Sequence, residues 1–363
     1  MICTLVTGAH RFNLELEKNM MTNSIHSPNT PYPSMAALFD LLVAPVKWAV
    51  LEAAMALGMA DILAETSHVD EIAGRIGIQT DTTGLVYFLD AMVALGLADK
   101  KNKTYSNTAL GTHFLREASP VFMGGLLTNM KAMQHKNLSR IEDIVKNGPP
   151  AVPQTEALQN ESKWEHAASH LAAYQRAGMG AICADLVETL PEFNNMEKML
   201  DLGGGPGLIG AEILRRRPQA KGVLLDLPAI IRLAEKELQK EGMADRISCI
   251  AGDYNETPLG SGYDLIWASH NLYYVKDRMA FFQRVKQSLA PNGVFVCLHE
   301  GLTDDRTAPS NIVLMRLSLS LEGQDFSFTK GEIATCLTQA GFEEVASTML
   351  DLPAGQAELV VAR

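Results

Sequence analysis

A run of glycines after a short apolar stretch is the feature that most constrains this chain. Residues 199–208 read MLDLGGGPGL, so an apolar segment of strand type ends at Asp201 and Leu202 and then breaks at four glycines. Glycine lacks a Cβ atom, which lets the backbone adopt positive φ angles and approach a ligand closely. Residues 208–215 favour a helix whose N-terminal amides would face a polar group of the ligand. The pattern predicts a strand, loop and helix that cradle a nucleotide-type cofactor.

Two kinds of cofactor fit this local pattern. Residues 205–210 read GPGLIG and satisfy the dinucleotide motif G-x-G-x-x-G, and Asp226 follows about twenty residues later, where a ribose-binding acid is expected. However, about 200 residues precede the glycines, whereas a dinucleotide fold usually opens with them. Asp201 also stands where a nicotinamide enzyme normally has an apolar residue. A nicotinamide-dependent oxidoreductase therefore remains only as an alternative.

Strands and helices alternate from residue 196 onward. Short apolar runs predict strands at 196–202, 222–226, 247–251, 263–268 and 293–298, with crossover helices that include 230–241 and 279–289. Residues 343–350 and 358–362 predict a terminal antiparallel hairpin around a Pro-Gly loop. The fold class is therefore α/β, with a doubly wound, Rossmann-like parallel sheet, and the terminal hairpin is foreign to the dinucleotide fold.

The N-terminal part of the chain has the pattern of a winged helix. Helices are predicted at 35–43, 46–57, 69–76 and 82–95, followed by a short hairpin formed by 97–99 and 104–106. Winged helices often bind DNA, but the helix at 82–95 contains Tyr87 and Asp90 and no lysine or arginine. A helix without cations cannot neutralise phosphates. The sequence therefore disfavours DNA binding.

Several motifs in order resemble those of S-adenosylmethionine-dependent O-methyltransferases of the plant caffeate and bacterial small-molecule type. They are the segments 201–208, 224–228 (LLDLP), 252–254 (GDY), 263–266 (YDLI) and 340–342 (AGF). The resemblance implies a class I methyltransferase fold with an N-terminal winged-helix dimerisation domain, S-adenosylmethionine as cofactor, a small-molecule acceptor and a homodimer. The expected domains are a flexible arm (1–34), the dimerisation domain (35–115), a helical linker and substrate-pocket region (116–195) and the cofactor-binding catalytic domain (196–363).

The cofactor residues follow from their places on the predicted sheet. Ligands bind in the crevice at the carboxyl ends of parallel strands, near the switch point. There a carboxylate at Asp226 can accept from both ribose hydroxyls, Asp253 can accept from the adenine amino group and Tyr254 can cover the ring. A helix cap before Pro228 is the alternative role for Asp226. The predicted cofactor-binding residues are Asp201, Gly203, Gly204, Gly205, Gly207, Asp226, Leu227, Asp253, Tyr254 and Ser269.

The chain departs from the family at the catalytic position. The resemblance implies a histidine after the fourth strand that removes a proton from the acceptor hydroxyl and is oriented by two glutamates. Here residues 272–277 read LYYVKD, so Tyr273 stands in place of the histidine; Glu300 matches one glutamate, and Ser327 falls at the place of the other. A phenol with a pKa near 10 is a poor base at neutral pH.

Three hypotheses therefore stay open. The acceptor is already acidic or carbanion-like, and proximity supplies most of the rate; His270 or His299 acts as base from a shifted geometry; or methyl transfer is lost and a cofactor-binding regulator remains. The predicted catalytic residues are Tyr273, Glu300 and His270. O-methylation of a small aromatic or conjugated molecule is the main prediction, and C-methylation is the alternative.

The region 116–195 is expected to line the acceptor pocket. On the helix predicted at 164–179, His166, His170 and Tyr174 recur every four residues and share one face. Two histidines at this spacing can hold a metal, but no third ligand is visible in the sequence, so no metal is predicted. Scattered methionines can shape an apolar pocket for a flat substrate. The predicted substrate-binding residues are Asn129, Met130, Met133, His170 and Tyr174.

Composition excludes several classes of partner. The 363 residues are 47% hydrophobic with a mean hydropathy near zero, which predicts a chain able to bury a large core. A net charge of −11 argues against nucleic acid or an anionic membrane as partner. The five cysteines show no C-x-x-C spacing and are expected to be reduced thiols. Together these features predict a soluble cytoplasmic enzyme without a membrane partner.

Overall fold

The computed structural model describes residues 35–151, 161–325 and 327–363, with the backbone alone at 161–167. The chain divides into two compact units, Met1–Thr108 and Ala109–Arg363. The arm predicted at 1–34 lies outside the described residues. The helices between 116 and 195 belong to the same unit as the large sheet.

The first unit is a small helical domain with a hairpin. Its helices are α1 (Ala36–Ala56), α2 (Met59–Glu65), α3 (Val69–Arg75) and α4 (Thr83–Ala94), and its hairpin pairs β1 (Ala98–Lys101) with β2 (Thr104–Asn107) antiparallel. The sequence divided α1 into two helices, at 35–43 and 46–57, and this was wrong. Pro45 lies inside one continuous helix, because the φ angle of proline is itself helical and the ring removes only one hydrogen-bond donor.

Helix α1 leaves a large apolar surface uncovered within its unit. Its first half is between 44% and 70% exposed at Leu38, Phe39, Leu41, Leu42, Val43 and Val46. Only Ala54 of α1 is buried. Contiguous exposed apolar patches of this kind mark interaction surfaces.

No single described helix is long and apolar enough to cross a membrane. Helices α1 and α2 satisfy the length and composition criteria only as a pair, and that pair is bent by 59° at its break.

The second unit begins with helices that lead into the sheet. They are α5 (Gly124–His135), α6 (Ile141–Asn147), α7 (Glu161–Tyr174) and α8 (Gly180–Glu188). The helix predicted at 164–179 ends as an α-helix at Tyr174 and continues as a π-helical turn, Gln175–Met179. Gly178 has a φ of 135° inside this turn, and only glycine adopts that conformation readily. The turn directs α7 and α8 to different parts of the unit.

A seven-stranded sheet forms the centre of the second unit. Its strands are β3 (Lys198–Leu202), β4 (Lys221–Asp226), β5 (Ile247–Ala251), β6 (Tyr263–Ser269), β7 (Leu289–His299), β8 (Val345–Leu352) and β9 (Gly355–Ala362). The spatial order is β5-β4-β3-β6-β7-β9-β8. The first five strands pair in parallel, and β9 is antiparallel to both of its neighbours. The predicted α/β class, with a doubly wound sheet and a terminal hairpin, is confirmed.

Helices cover both faces of this sheet. They are α9 (Leu208–Arg215), α10 (Pro228–Lys240), α11 (Arg278–Ser288), α12 (Ser310–Leu321) and α13 (Glu332–Gln339). Successive strand residues point to opposite faces, so Trp267 packs into one apolar core and its neighbour Ile266 into the other. In register, Leu202 of β3 pairs with Leu225 of β4 and with Ala268 of β6. The loops that follow these three strands therefore meet at one edge of the sheet.

Candidate functional site

A cavity of about 680 Å³ lies at the carboxyl edge of the parallel strands. Its volume is within the range of small-molecule sites. The loops after β3, β4, β5 and β6 all contribute to its wall. The predicted cofactor residues that line it are Gly203, Gly204, Gly205, Asp226, Leu227, Asp253, Tyr254 and Ser269.

The glycine loop, residues 203–207, leaves no room for a side chain at Gly203 and Gly204. Gly203 and Gly205 have φ angles of 63° and 60°. A Cβ atom on Gly203 would lie 2.2 Å from the side-chain nitrogen of Asn271, and one on Gly204 would lie 2.4 Å from the carboxyl group of Asp201. Gly207, with a φ of 77°, begins helix α9 and is not among the residues that line the cavity. The loop thus presents bare backbone to the cavity.

Asp201 lies beneath the glycine loop and does not line the cavity. It is 3% exposed, and its Oδ2 accepts a hydrogen bond of 3.2 Å from the backbone nitrogen of Gly210. Its Oδ1 has no partner among the described residues. Burial raises the pKa of this carboxyl to about 7. Asp201 therefore holds the first turn of α9, and its carboxyl fills the space beside Gly204.

Asp226 ends β4 and faces the cavity. Its Oδ2 accepts from the backbone nitrogen of Gly205 at 2.9 Å, and its Oδ1 accepts from that of Leu227 at 2.7 Å. Burial raises its pKa to about 6. Leu227, the residue before α10, is the N-cap position, and this helix starts without a side-chain cap. The alternative role of Asp226 as a helix cap therefore finds no support in the geometry.

The loop after β5 forms a second wall. Asp253 Oδ1 accepts from the backbone and side-chain nitrogens of Asn255, both at 2.8 Å, and Lys276 Nζ lies 3.5 Å from Asp253 Oδ2. The Tyr254 hydroxyl donates to the backbone oxygen of Asn271 at 2.7 Å. Asn271 and Lys276 line the cavity, and the sequence did not single them out.

The end of helix α7 and the π-helical turn contribute another wall of the cavity, but only one of the predicted substrate-binding residues lies in it. Tyr174 lines the cavity, but Asn129, Met130, Met133 and His170 are not among the described lining residues. His170 packs against Gly125, where a Cβ atom would come within 2.3 Å of its Nδ1. The side chain of His166 lies outside the described residues.

Gln175, which the sequence did not single out, also lines the cavity. Its side-chain oxygen accepts from the backbone nitrogen of Leu208 at 3.0 Å, so it serves the first free amide of helix α9. This contact links the π-helical turn to the glycine loop.

A polar cluster of His270, Tyr273, Glu300 and Arg316 adjoins the cavity, which His270 and Tyr273 line. The Tyr273 hydroxyl donates to Glu300 Oε2 at 2.6 Å and accepts from Arg316 Nη2 at 3.0 Å. Arg316 Nη2 also donates to Glu300 Oε1. His270 Nδ1 lies 3.2 Å from the Tyr273 hydroxyl oxygen and 3.7 Å from Glu300 Oε2.

The backbone of His270 is strained, and strain of this kind concentrates at functional sites. Its φ is 50°, in the left-handed region that residues other than glycine rarely adopt. His270 directly follows strand β6, and 45% of its side-chain surface is exposed.

Charges in the polar cluster are fixed by burial and by pairing. Burial raises the pKa of Tyr273 well above its ordinary value, and the nearby Glu300 adds to this rise. Burial acts to raise the pKa of Glu300 as well, but His270 and the Arg316 guanidinium together hold it well below its usual range. At neutral pH the cluster therefore contains a neutral phenol, a carboxylate and a guanidinium. Tyr273 is a hydrogen-bonding group here and not a proton acceptor.

His299 is a poor candidate for the base, because it does not line the cavity that His270 lines. It is fully buried, its Nε2 accepts from the Leu272 backbone nitrogen at 3.4 Å, and its Nδ1 has no partner among the described residues. Burial lowers its pKa well below the ordinary value. Ser327, which the sequence analysis expected at the place of a second glutamate, has a buried hydroxyl oxygen without a partner among the described residues.

The ligand atoms of His270, His299 and Glu300 lie within 4.8 Å of one another, a spacing compatible with a metal ion. The Arg316 guanidinium already contacts both Glu300 and the Tyr273 hydroxyl. A second cation beside it would meet charge repulsion. The geometry therefore favours a proton-handling cluster over a metal centre.

Arg316 is the part of this cluster that sequence reasoning missed. Helix α12 reads SNIVLMRLSLSL, in which Arg316 is the only charged residue. A lone cation among the apolar residues of a largely buried helix face needs a partner. That signal was present in the sequence, but the identity of the partner depended on the fold.

Comparisons with known proteins bear on the family of this chain. The family model described as an O-methyltransferase domain matches residues 162–343, and the O-methyltransferase dimerisation domain matches residues 39–117. The 3-hydroxy-5-methyl-1-naphthoate 3-O-methyltransferase of Streptomyces sahachiroi is 28% identical over 87% of this chain and 92% of its own length. The tetracenomycin polyketide synthesis 8-O-methyl transferase of Streptomyces glaucescens is 25% identical over 90% of this chain and 97% of its own.

A solved structure shows the same fold. Human N-acetylserotonin methyltransferase in complex with S-adenosylmethionine has a TM-score of 0.69 and 22% identity, with 93% of this chain and 99% of that chain covered.

Proposed function

This chain belongs to the O-methyltransferase family and uses S-adenosylmethionine, and from that premise we propose that it methylates a hydroxyl group of a small aromatic acceptor with His270 as general base. The observation that carries the proposal is the place of His270. Its Nδ1 faces Tyr273 and Glu300, and its ring lies in the wall of the cavity that contains the glycine loop.

The residues of the cavity fit the cofactor. Asp226 would hold the ribose, and the backbone of the glycine loop would contact the cofactor beside it. Tyr254 and Asp253 would hold the adenine. When bound, S-adenosylmethionine supplies a methyl group on an electrophilic sulfonium. Asp226 suits the ribose because a carboxylate accepts from two hydroxyls, and it is already oriented by two backbone amides. Asp201 accepts from the backbone nitrogen of Gly210 and so holds the first turn of α9, which follows the loop.

The acceptor class is supported by the relatives and by the walls of the cavity. The two relatives described above are named for a hydroxynaphthoate and for a tetracenomycin, both aromatic polyketide-type compounds. Tyr174, Leu171 and Met179 line the cavity here, and aromatic and methionine side chains suit flat apolar ligands. We expect a fused or substituted phenol as acceptor.

His270 is the general base that the geometry favours. Tyr273 keeps its proton because burial and Glu300 raise its pKa, and the low pKa of buried His299 makes it a weak base. His270 would take the acceptor's hydroxyl proton on Nε2, since Nδ1 faces the polar cluster. A base so placed typically contributes 10²–10⁴-fold to a rate.

We further propose that two copies of the chain form a homodimer through α1. The dimerisation-domain match begins at residue 39, within the apolar face of α1 that its own unit leaves exposed. The cytoplasmic location and the helical substrate region predicted from the sequence stay predictions.

A labelled-donor experiment tests the reaction. The protein is incubated with trideuteromethyl S-adenosylmethionine and a panel of hydroxynaphthoates and polyhydroxylated polycyclic aromatics, and the products are identified by mass and by NMR. We expect one trideuteromethyl group on oxygen. A trideuteromethyl group on carbon would instead establish the C-methyltransferase alternative.

Two controls complete this experiment. The same panel without protein measures spontaneous methylation. Binding of S-adenosylhomocysteine and of NAD is compared by calorimetry, and tight NAD binding without S-adenosylhomocysteine binding would contradict the proposed function.

A further inference from the structure

The hydroxyl of Tyr273 contacts the other three members of the polar cluster, and one of them is the best acceptor for its proton. Glu300 as a carboxylate has only lone pairs to offer, and Arg316 has only N–H groups. The phenol oxygen lies 2.6 Å from Glu300 Oε2 and 3.0 Å from Arg316 Nη2. Its proton therefore goes to Glu300, while its lone pairs face Arg316 and His270.

This arrangement determines the tautomer of His270. Both groups that face its Nδ1, the Tyr273 oxygen at 3.2 Å and Glu300 Oε2 at 3.7 Å, are acceptors. Nδ1 must then carry the ring proton, which leaves the lone pair on Nε2. A base on Nε2 is what the proposed reaction requires.

The direction of the whole chain of hydrogen bonds depends on the charge of Glu300. This carboxyl is only 6% exposed, and a carboxylate so deeply buried needs a cation to remain ionised. Arg316 is the cation that contacts it. If Glu300 gained a proton, it would donate to Tyr273, the phenol would turn to donate to His270 Nδ1, and Nε2 would carry the ring proton.

From these hydrogen bonds we propose that Arg316 is a positioning residue. By keeping Glu300 ionised, it orients the Tyr273 hydroxyl. It thereby holds His270 in the tautomer with the proton on Nδ1 and the lone pair on Nε2. The inference rests on the proposed function, in which His270 Nε2 is the base. Arg316 itself does not touch the reacting atoms in this account. It acts through two neighbours.

The tautomer is measured directly, without turnover. Two-bond ¹H–¹⁵N correlation spectra of the full chain, with the His270 signals assigned by their loss in His270→Gln, show which ring nitrogen lacks a proton. In the wild type we expect a pyridine-type Nε2. In Arg316→Met we expect the pyridine-type signal on Nδ1, and kcat lowered at least 100-fold with the KM for S-adenosylmethionine within about threefold.

Three further variants make the test specific. Arg316→Lys keeps the charge and should restore the wild-type tautomer and more than a tenth of the wild-type kcat. Glu300→Gln should reverse the tautomer without an unpaired carboxylate, because its amide oxygen would face Arg316 and its amide nitrogen would face Tyr273. Arg278→Met is the matched control, since Arg278 pairs with Glu332 and stacks on Phe328 without contacting Tyr273. It should change neither quantity.

The outcomes separate the two proposals. A pyridine-type Nε2 retained in Arg316→Met would overturn the role of Arg316. If that variant does not fold, a pyridine-type Nε2 retained in Glu300→Gln would overturn it, because the tautomer would then not depend on the charge of Glu300. Full activity in His270→Gln would instead overturn His270 as the base, whatever the tautomer spectra show.

Discussion

At the scale of single residues, the proposed cofactor site depends on the carboxylate of Asp226. Asp226 accepts from the backbone of the glycine loop and from its own neighbour Leu227, so the loop orients it before any ligand binds. Its raised pKa shows the cost of burying this charge. Hydrogen bonds from ribose hydroxyls would offset that cost in the complex.

Asp226→Ala is therefore expected to weaken the binding of S-adenosylmethionine by about 1.5–3 kcal/mol, the range for a lost hydrogen bond to a charged group. Because the carboxyl must be ionised to accept from both hydroxyls and its pKa is about 6, wild-type affinity should fall as the pH drops below 6. Asp226→Ala should show a flatter profile there. Asp245→Ala, at an exposed carboxylate, is the control.

Isothermal titration calorimetry from pH 5 to pH 8 makes this measurement. Unchanged affinity in Asp226→Ala at pH 8 would remove Asp226 from the site.

Residue-level prediction from sequence succeeded where spacing alone determines position. The glycines and Asp226 are local to strand ends, so their convergence followed from the parallel sheet. The roles of Arg316 and Gln175 depended on packing between elements far apart in sequence, and no local pattern names their partners. Asp201 was placed in the cofactor site by its motif, but the structure puts it behind the loop because its carboxyl fills the space beside Gly204 and Gly210.

At the scale of elements, hydrophobic patterning located all seven strands of the large sheet. The central strands are buried apolar runs bounded by polar or glycine-rich turns, whereas the edge strand β8 has no buried residue. Helix boundaries were harder. The sequence ended a helix before Pro45, but the structure continues it through the proline. Conversely, the helix predicted through Met179 changes at Gln175 into a π-helical turn around Gly178. Both differences have local causes: the φ angle of proline is itself helical, and glycine readily adopts the φ of 135° found at Gly178.

The exposed apolar face of helix α1 gives a testable prediction about dimerisation. If its exposed apolar face is the dimer interface, Leu41→Glu combined with Leu42→Glu should convert the protein to monomers, because charges would be buried without partners. A stable dimer of this kind is expected to bury more than about 2,000 Å². Val145→Glu is the matched control, since Val145 is 72% exposed in the second unit. It should leave the dimer intact.

Sedimentation velocity at micromolar concentration gives the mass of each variant. A monomeric mass for the wild-type chain would contradict the homodimer.

At the scale of the whole molecule, the order of motifs along the chain was more informative than any motif alone. Each short segment fits several folds, but the series from the glycine loop to the terminal hairpin fits one. The match of the O-methyltransferase domain over residues 162–343 confirms that fold and its cofactor. The catalytic assignment is a separate matter: the resemblance implies a histidine at the position of Tyr273, and the histidine that lines the cavity here is His270.

The most direct test of this account compares His270→Gln with Tyr273→Phe in single-turnover methyl transfer at saturating donor. We predict a loss of about 10²–10⁴-fold for His270→Gln, the range for a general base. For Tyr273→Phe we predict about tenfold: the contacts of the hydroxyl with Glu300, Arg316 and His270 are lost, but His270 Nδ1 still faces Glu300 Oε2. His68→Gln, at an exposed histidine of the first unit, should match the wild type. The reverse order, with Tyr273→Phe abolishing turnover and His270→Gln nearly unaffected, would contradict the account.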